Sequence, residues 1–300
     1  MVGMTLTDTI VLEDDYAKAR SAGQVFVRDL KARLVADAVD LPSLPEIALK
    51  IRHALAADDV DTEQIIRLIG MEPALATRLL RTANCALFYR GAKPVTNLRM
   101  AVTRLGYRMV RIVSVSLAAQ QVFIGYAVES LRPHLEEIWR HSIRVAALGY
   151  LLAKRSGIGD AEEAFLAGLL HEVGKLYILM QAKDRMEQFK SEAAFASIMA
   201  ERHADIGHAI ISAWEFSEDL ATAIGEHEFC GLECGDQPSL TEMLAVANFL
   251  ANRMESGLNE DEMFENLPDF GALALDADTL DWMISASAEE VRILQQALCA

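Results

Sequence analysis

One stretch constrains this chain more than any other: Ala164-Phe165-Leu166-Ala167-Gly168-Leu169-Leu170-His171-Glu172-Val173-Gly174-Lys175-Leu176. Its first seven residues make a helix that is apolar on most sides, so the segment belongs inside the protein. It then sets His171, Glu172 and Lys175 against that background. Two candidate metal ligands and a cation are costly to bury unless something satisfies them. Gly174 admits a close approach of backbone or ligand.

The rest of the chain suits such an interior. Three hundred residues suffice for a large core in two lobes. Hydrophobic content is 52%, seven prolines interrupt the sequence, and β-branched runs are short, which predicts an all-α fold. No uncharged apolar run reaches the length of about eighteen residues that a membrane span needs. The acidic start, with Asp8, Glu13, Asp14 and Asp15, lacks the basic and apolar regions of a secretory signal. Four irregularly spaced cysteines suggest reduced thiols, so the expected location is cytoplasmic. A net charge of -16 argues against general binding to nucleic acid or an anionic membrane. One local exception stands out: Arg67, Arg78, Arg81, Arg90, Lys93, Arg99, Arg104, Arg108 and Arg111 face a single acid, Glu72. Such a stretch suits a nucleotide, nucleic acid or acidic partner, unless its arginines scatter over several helix faces.

Helical spacing appears between Asp14 and Val39, with Val27, Leu30 and Leu34 on one side. Pro42 and Pro45 end that segment, and Ile47, Leu49, Ile51 and Leu55 form the next apolar stripe. Asp61 is placed as a cap, Pro73 as a first-turn residue, and Thr96 as the cap of a helix ending near Gly106. A long apolar helix then runs through Phe123. Asn84 is expected to make a helix-end hydrogen bond. The segment Leu41-Pro42-Ser43-Leu44-Pro45, the block Glu72-Pro73 through Asn84, and Val95-Thr96 through Leu105-Gly106 together resemble the HDOD domain. This bacterial signalling domain is related to the HD and HD-GYP phosphohydrolases. Cys85 and Glu72 stand where that family often has serine and aspartate.

The His171-Glu172 segment resembles the HD signature itself, with glutamate in place of aspartate. After Arg132-Pro133 a helix from about His134 to Lys154 carries His141, and Asp160 is a plausible N-cap for the next. The resemblance implies that His141, His171, Glu172, His203 and His227 sit where metal-binding relatives place ligands, and that Lys175 is the candidate catalytic cation. Imidazole donors suit iron, manganese, zinc or nickel. The late aspartate of the superfamily falls on Asn248, and the HD-GYP loop is replaced by a segment containing Cys230 and Cys234. His53 and His208 read as helix-surface residues. Beyond Asn248 the acids from Glu255 onward read as a solvated face, and Trp282, Met283 and Ile284 as a return to the core.

These readings predict a two-lobed, all-α HDOD architecture with a degenerate HD-like lobe. Residues 1–33 form an arm and helix, 34–250 the domain (lobes at about 34–130 and 131–250), and 251–300 an acidic helical extension. The expected role is a non-catalytic signalling scaffold whose partner is a signalling protein or nucleotide, with no membrane or general nucleic-acid binding. In that reading His171 and Glu172 are polar wiring of the core. The alternatives are a metal-dependent phosphohydrolase acting on a nucleotide or cyclic dinucleotide, and nucleic-acid binding through residues 67–111.

Overall fold

The computed structural model describes residues 45–55, 57, 59–84, 93–123, 129, 131–157, 159–182, 192–228 and 238–256, together with 279, 283 and 285. The expected helix between Asp14 and Val39, the Cys230 and Cys234 segment and most of the acidic extension lie outside these residues. Among those described, every regular element is helical: α1 (Glu46–Leu55), α2 (Thr62–Gly70), α3 (Pro73–Asn84), α4 (Leu98–Phe123), α5 (Arg132–Ser156), α6 (Ala161–Leu170), α7 (Val173–Ala182), α8 (Glu192–Ala213), α9 (Glu218–Glu226) and α10 (Leu240–Glu255). No helix among them is long and apolar enough to cross a membrane.

Local chemistry sets the boundaries. Asp61 caps α2 by accepting from the Glu63 N–H, and Asp160 caps α6 by accepting from Glu162 and Glu163. Ser239 and Glu242 close a reciprocal capping box on α10. Pro73 opens α3, and Pro133 sits in the first turn of α5. Asn84 ties the end of α3 to the next segment: its amide donates to the Leu80 and Val95 carbonyls and its oxygen accepts from the Val95 N–H. The cap of α4 is Asn97, not Thr96. Asn97 Oδ1 reaches the Met100 N–H at 2.9 Å, and Thr96 lies one residue too early to do so. Gly106, at φ 76° and ψ 166°, breaks the helical path of α4 near the expected place.

Helices α1–α4 form the first lobe and α5–α10 the second. The long helix α4 joins them, with Ile112, Val113, Val115, Leu117 and Phe123 buried in a core that runs continuously through both. Met283 packs fully buried into that core. A second link is Arg52 of α1. Its guanidinium bonds the Trp214 carbonyl, pairs with Glu215 at 3.2 Å and lies over the Phe216 ring. It thereby holds the corner between α8 and α9.

Two glycines set how closely the second lobe packs. A Cβ on Gly168 would stand 2.4 Å from the Ala146 backbone, so α6 rests directly on α5. A Cβ on Gly174 would stand 1.9 Å from the His203 carbonyl oxygen, so the start of α7 rests directly on α8. The first seat brings His171 to His141, and the second brings Glu172 to His203. Gly174→Ala should therefore force backbone apart and destabilise the protein by about 1–3 kcal/mol. Gly70→Ala, which meets only Leu98 Cδ1 at 4.0 Å, should shift stability by no more than about 0.5 kcal/mol. Denaturant midpoints of the two variants check the contrast.

Candidate metal centre

His171 and Glu172 do not continue a helix. They form the two-residue break between α6 and α7, at the bottom of the apolar lobe. Glu172 is 3% exposed and His171 and His203 are fully buried. The break turns both side chains into one buried cluster, where His141 arrives from α5, His203 from α8 and His227 from the end of α9. The ring centroids run His141–His171 5.3 Å, His171–His227 4.9 Å and His203–His227 5.1 Å. All five ligand candidates that the resemblance implies are thus brought together. Their donor atoms fall into two groups that share Glu172: His141, His171 and Glu172, and Glu172, His203 and His227.

The hydrogen bonds fix how most of these rings present themselves. His171 Nδ1 donates to the Gly168 carbonyl at 2.8 Å, His203 Nδ1 to that of Met199 at 2.8 Å, and His227 Nδ1 to that of Ile224 at 2.7 Å. In a neutral imidazole this leaves Nε2 as a bare lone pair. Burial, with His227 and His141 nearby, pushes His171 well below the usual histidine range. Burial also pushes His227 down, against the pull of Glu172. Burial works to raise the Glu172 carboxyl, but Lys175 and the facing His203 and His227 outweigh it and hold Glu172 below the usual range.

The cluster is not self-satisfied wiring. His171 Nε2 and Glu172 Oε2 are buried without a hydrogen-bond partner. Glu172 Oε1 takes Lys175 Nζ at 2.5 Å, whereas Oε2 faces His203 Nε2 at 3.7 Å. His203 Nε2 and His227 Nε2 face each other at 3.2 Å. Two lone pairs at that distance repel unless a proton or a cation lies between them. Unpaired nitrogen and carboxylate atoms converging in an apolar lobe, three of the rings steadied by a backbone carbonyl and the fourth by Glu255, fit a divalent transition metal. The residues that would hold it are His141, His171, Glu172, His203 and His227.

Asn248 lies where the resemblance places the late aspartate. Its Oδ1 is 3.0 Å from His141 Nε2. Lys175 serves as counter-ion to Glu172. His53 is exposed, and His208 is a partly exposed surface residue near Glu218, as expected. Two acids were missed by sequence reasoning. Glu228 brings Oε1 to 3.3 Å from His203 Nε2, and the facing His203 holds its carboxyl below the usual range. The clue was a second His-Glu dipeptide, His227-Glu228. Glu255, exposed as expected of the acidic face, also reaches the site. It bonds His141 Nδ1 at 2.9 Å and pairs with Arg144. Its clue was position, seven residues beyond Asn248 on one face of α10. A cavity of about 310 Å³ opens beside the cluster, lined by His227, Glu228, Asn248, Phe249, Asn252 and Arg253, among others.

The basic stretch does not present one open face. Arg67 pairs with Asp61, Arg99 with Glu63, and Arg108 with the helix cap Asp160. Arg104 bonds the Ala83 and Lys93 carbonyls, and Arg78 is buried. Arg90 lies outside the described residues.

Comparison with known proteins places this architecture. Among solved structures, a candidate metal-dependent phosphohydrolase from Shewanella amazonensis SB2B is 25% identical and superposes with a TM-score of 0.73, covering 93% of this chain and 99% of that one. An HDOD domain protein of unknown function from Geobacter sulfurreducens is 21% identical with a TM-score of 0.65 over 93% of this chain and 97% of the other. A candidate signal transduction protein from Marinobacter aquaeolei VT8 is 17% identical, with a TM-score of 0.61 over 94% and 66%. An uncharacterized protein of Treponema pallidum (strain Nichols) is 27% identical over 231 residues, 72% of this chain, and the match spans only 43% of that longer protein. The HDOD domain family matches residues 41–229, well over half of the chain. On that match the chain belongs to the HDOD family.

Proposed function

We propose that this protein is a bacterial signalling module that works by binding, and that its HD-like lobe holds a divalent transition metal without hydrolysing phosphodiesters. One observation carries the reading. The bare Nε2 atoms of His171, His203 and His227 converge with a single fully buried carboxylate, Glu172, and the second acid expected of a hydrolase is the amide Asn248. Nitrogen donors hold a metal. A phosphohydrolase also needs carboxylates to offset metal charge and help activate water. Glu172 is one such group, and Lys175 already balances it. The signalling role draws on the HDOD family and on the fold shared with a candidate signal transduction protein.

The alternative is a metal-dependent phosphohydrolase. The cavity of about 310 Å³ beside His227 and Asn248 favours it, as does the likeness to the Shewanella protein. Glu228 supplies a further carboxylate at the mouth. Metal analysis and turnover separate the two. Protein purified without chelator should carry at least one equivalent of divalent metal by elemental analysis. With Mn²⁺, Ni²⁺ or Zn²⁺ added, it should hydrolyse bis(p-nitrophenyl) phosphate no faster than the metal alone. Turnover that disappears in Glu172→Gln would install the hydrolase reading instead.

Nucleic-acid binding is the weakest of the three, because five of the arginines that would carry it, Arg67, Arg78, Arg99, Arg104 and Arg108, are paired locally or buried, which leaves Arg81 as an exposed one. Fluorescence anisotropy with a generic duplex should show no binding at physiological salt. Submicromolar binding that weakens steeply as salt rises and is lost in Arg81→Ala would reverse that conclusion.

A further inference from the structure

The cavity beside the cluster follows one helix. Ala245, Asn248, Phe249, Asn252, Arg253 and Ser256 line it at helical spacing along one face of α10 and its cap, and His227 and Glu228 complete the wall. Asn248 is only 6% exposed. Its side-chain oxygen meets His141 Nε2 at 3.0 Å and Asn252 Nδ2 at 3.2 Å. Its amide nitrogen makes no hydrogen bond among the described residues. Yet that nitrogen is not sealed in the core as His171 Nε2 and Glu172 Oε2 are. In a residue so buried, the opening is the cavity it lines. Asn248 therefore offers the cavity an N–H donor. The aspartate that the resemblance places here could only accept when ionised. The substitution that removes a metal carboxylate thus installs a donor.

The charges around the cavity agree. Arg253 is the cation among the lining residues, and its guanidinium stands over the Phe249 ring, 4.9 Å from the centroid. A guanidinium held over a ring keeps its N–H edge for an oxyanion. The lining carboxylate Glu228 is turned to His203 at 3.3 Å. Glu255 gives one oxygen to His141 and the other to Arg144. Both acids are thus engaged by histidine or arginine. Ala245 and Phe249 supply an apolar wall, and a cavity of about 310 Å³ suits a small molecule.

We propose that the cavity along α10 is a binding site for a small organic anion. The oxyanion, a phosphate or a carboxylate, takes the Asn248 amide and the Arg253 guanidinium, and the apolar body lies against Ala245 and Phe249. The inference rests on the reading above that the protein works by binding, and it names the chemistry bound. None of these four residues is a candidate metal ligand. Asn248 is then a specificity-determining residue: an acid in its place would repel the ligand that the amide admits.

Isothermal titration calorimetry of the full-length protein as purified tests this, with phenyl phosphate and benzoate as probes. At least one of them should bind with a Kd of about 1 mM or below, and which one binds assigns the oxyanion. Arg253→Gln removes the cation and Asn248→Asp sets a like charge against the ligand, so each should weaken binding by at least about tenfold. His208→Gln, on the surface of α8, should leave it within about twofold. Metal analysis of every variant separates this site from the metal. An anion held by metal alone would bind Asn248→Asp, with its added carboxylate and equal or greater metal content, at least as tightly as wild type. Circular dichroism checks folding, and Arg253→Gln decides alone should Asn248→Asp unfold. Binding of neither probe to wild type, or wild-type affinity in either folded variant, would overturn this inference. The metal analysis and turnover assay above would then still judge the metal-holding, non-hydrolysing reading on their own.

Discussion

The structure turns on the burial of one carboxylate. Glu172 is 3% exposed in an apolar lobe, where an unpaired charge would be expensive. It remains ionised because Lys175 lies against one oxygen and the imidazoles of His203 and His227 face it. Everything around it serves that placement. The break between α6 and α7 turns it inward, Gly168 seats α6 on α5, and Gly174 lets α7 touch α8. The capped ends of α6 and α9 fix where His171 and His227 arrive. Arg52 reaches from the first lobe to hold the corner that separates His203 from His227.

Much of this was legible in the residues. Caps at Asp61 and Asp160, the opening proline of α3 and the role of Asn84 are decided locally, by side chains within a few positions of the backbone they bind. The convergence of His141, His171, Glu172, His203 and His227 was legible for another reason: the motifs that carry them resemble those in which metal-binding relatives place ligands. What could not be read was the pairing of atoms across helices. Glu255 looks like one acid of an acidic tail, and only the packing of α10 on α5 shows that it holds His141. Glu228 looks like a helix-end acid until the turn after α9 aims it at His203. The charge reversal between Arg67 and Arg111 is real in sequence. Its meaning depends on distant partners such as Asp160, which no local pattern reveals.

The same distinction separates a relic from a centre. Substitution of aspartate by Glu172 and Asn248 suggested a site reduced to core wiring. In wiring, every donor and acceptor would be paired. Here two atoms of the predicted ligands, His171 Nε2 and Glu172 Oε2, are buried without a hydrogen-bond partner and face the same cluster. The Asn248 side-chain oxygen, by contrast, meets both His141 and Asn252. Loss of acids and retention of imidazoles are what the proposed binding role, with a metal held in this lobe, requires. The cavity next to it gives such a surface a place to meet a ligand.

Anomalous diffraction tests this most directly. Crystals of the protein grown with Zn²⁺ or Mn²⁺ and measured on both sides of the metal's absorption edge should show a peak inside the second lobe, within bonding distance of Glu172, His203 and His227. An anomalous map with no peak in that lobe, with His203 Nε2 and His227 Nε2 bridged by a proton alone, would contradict the account.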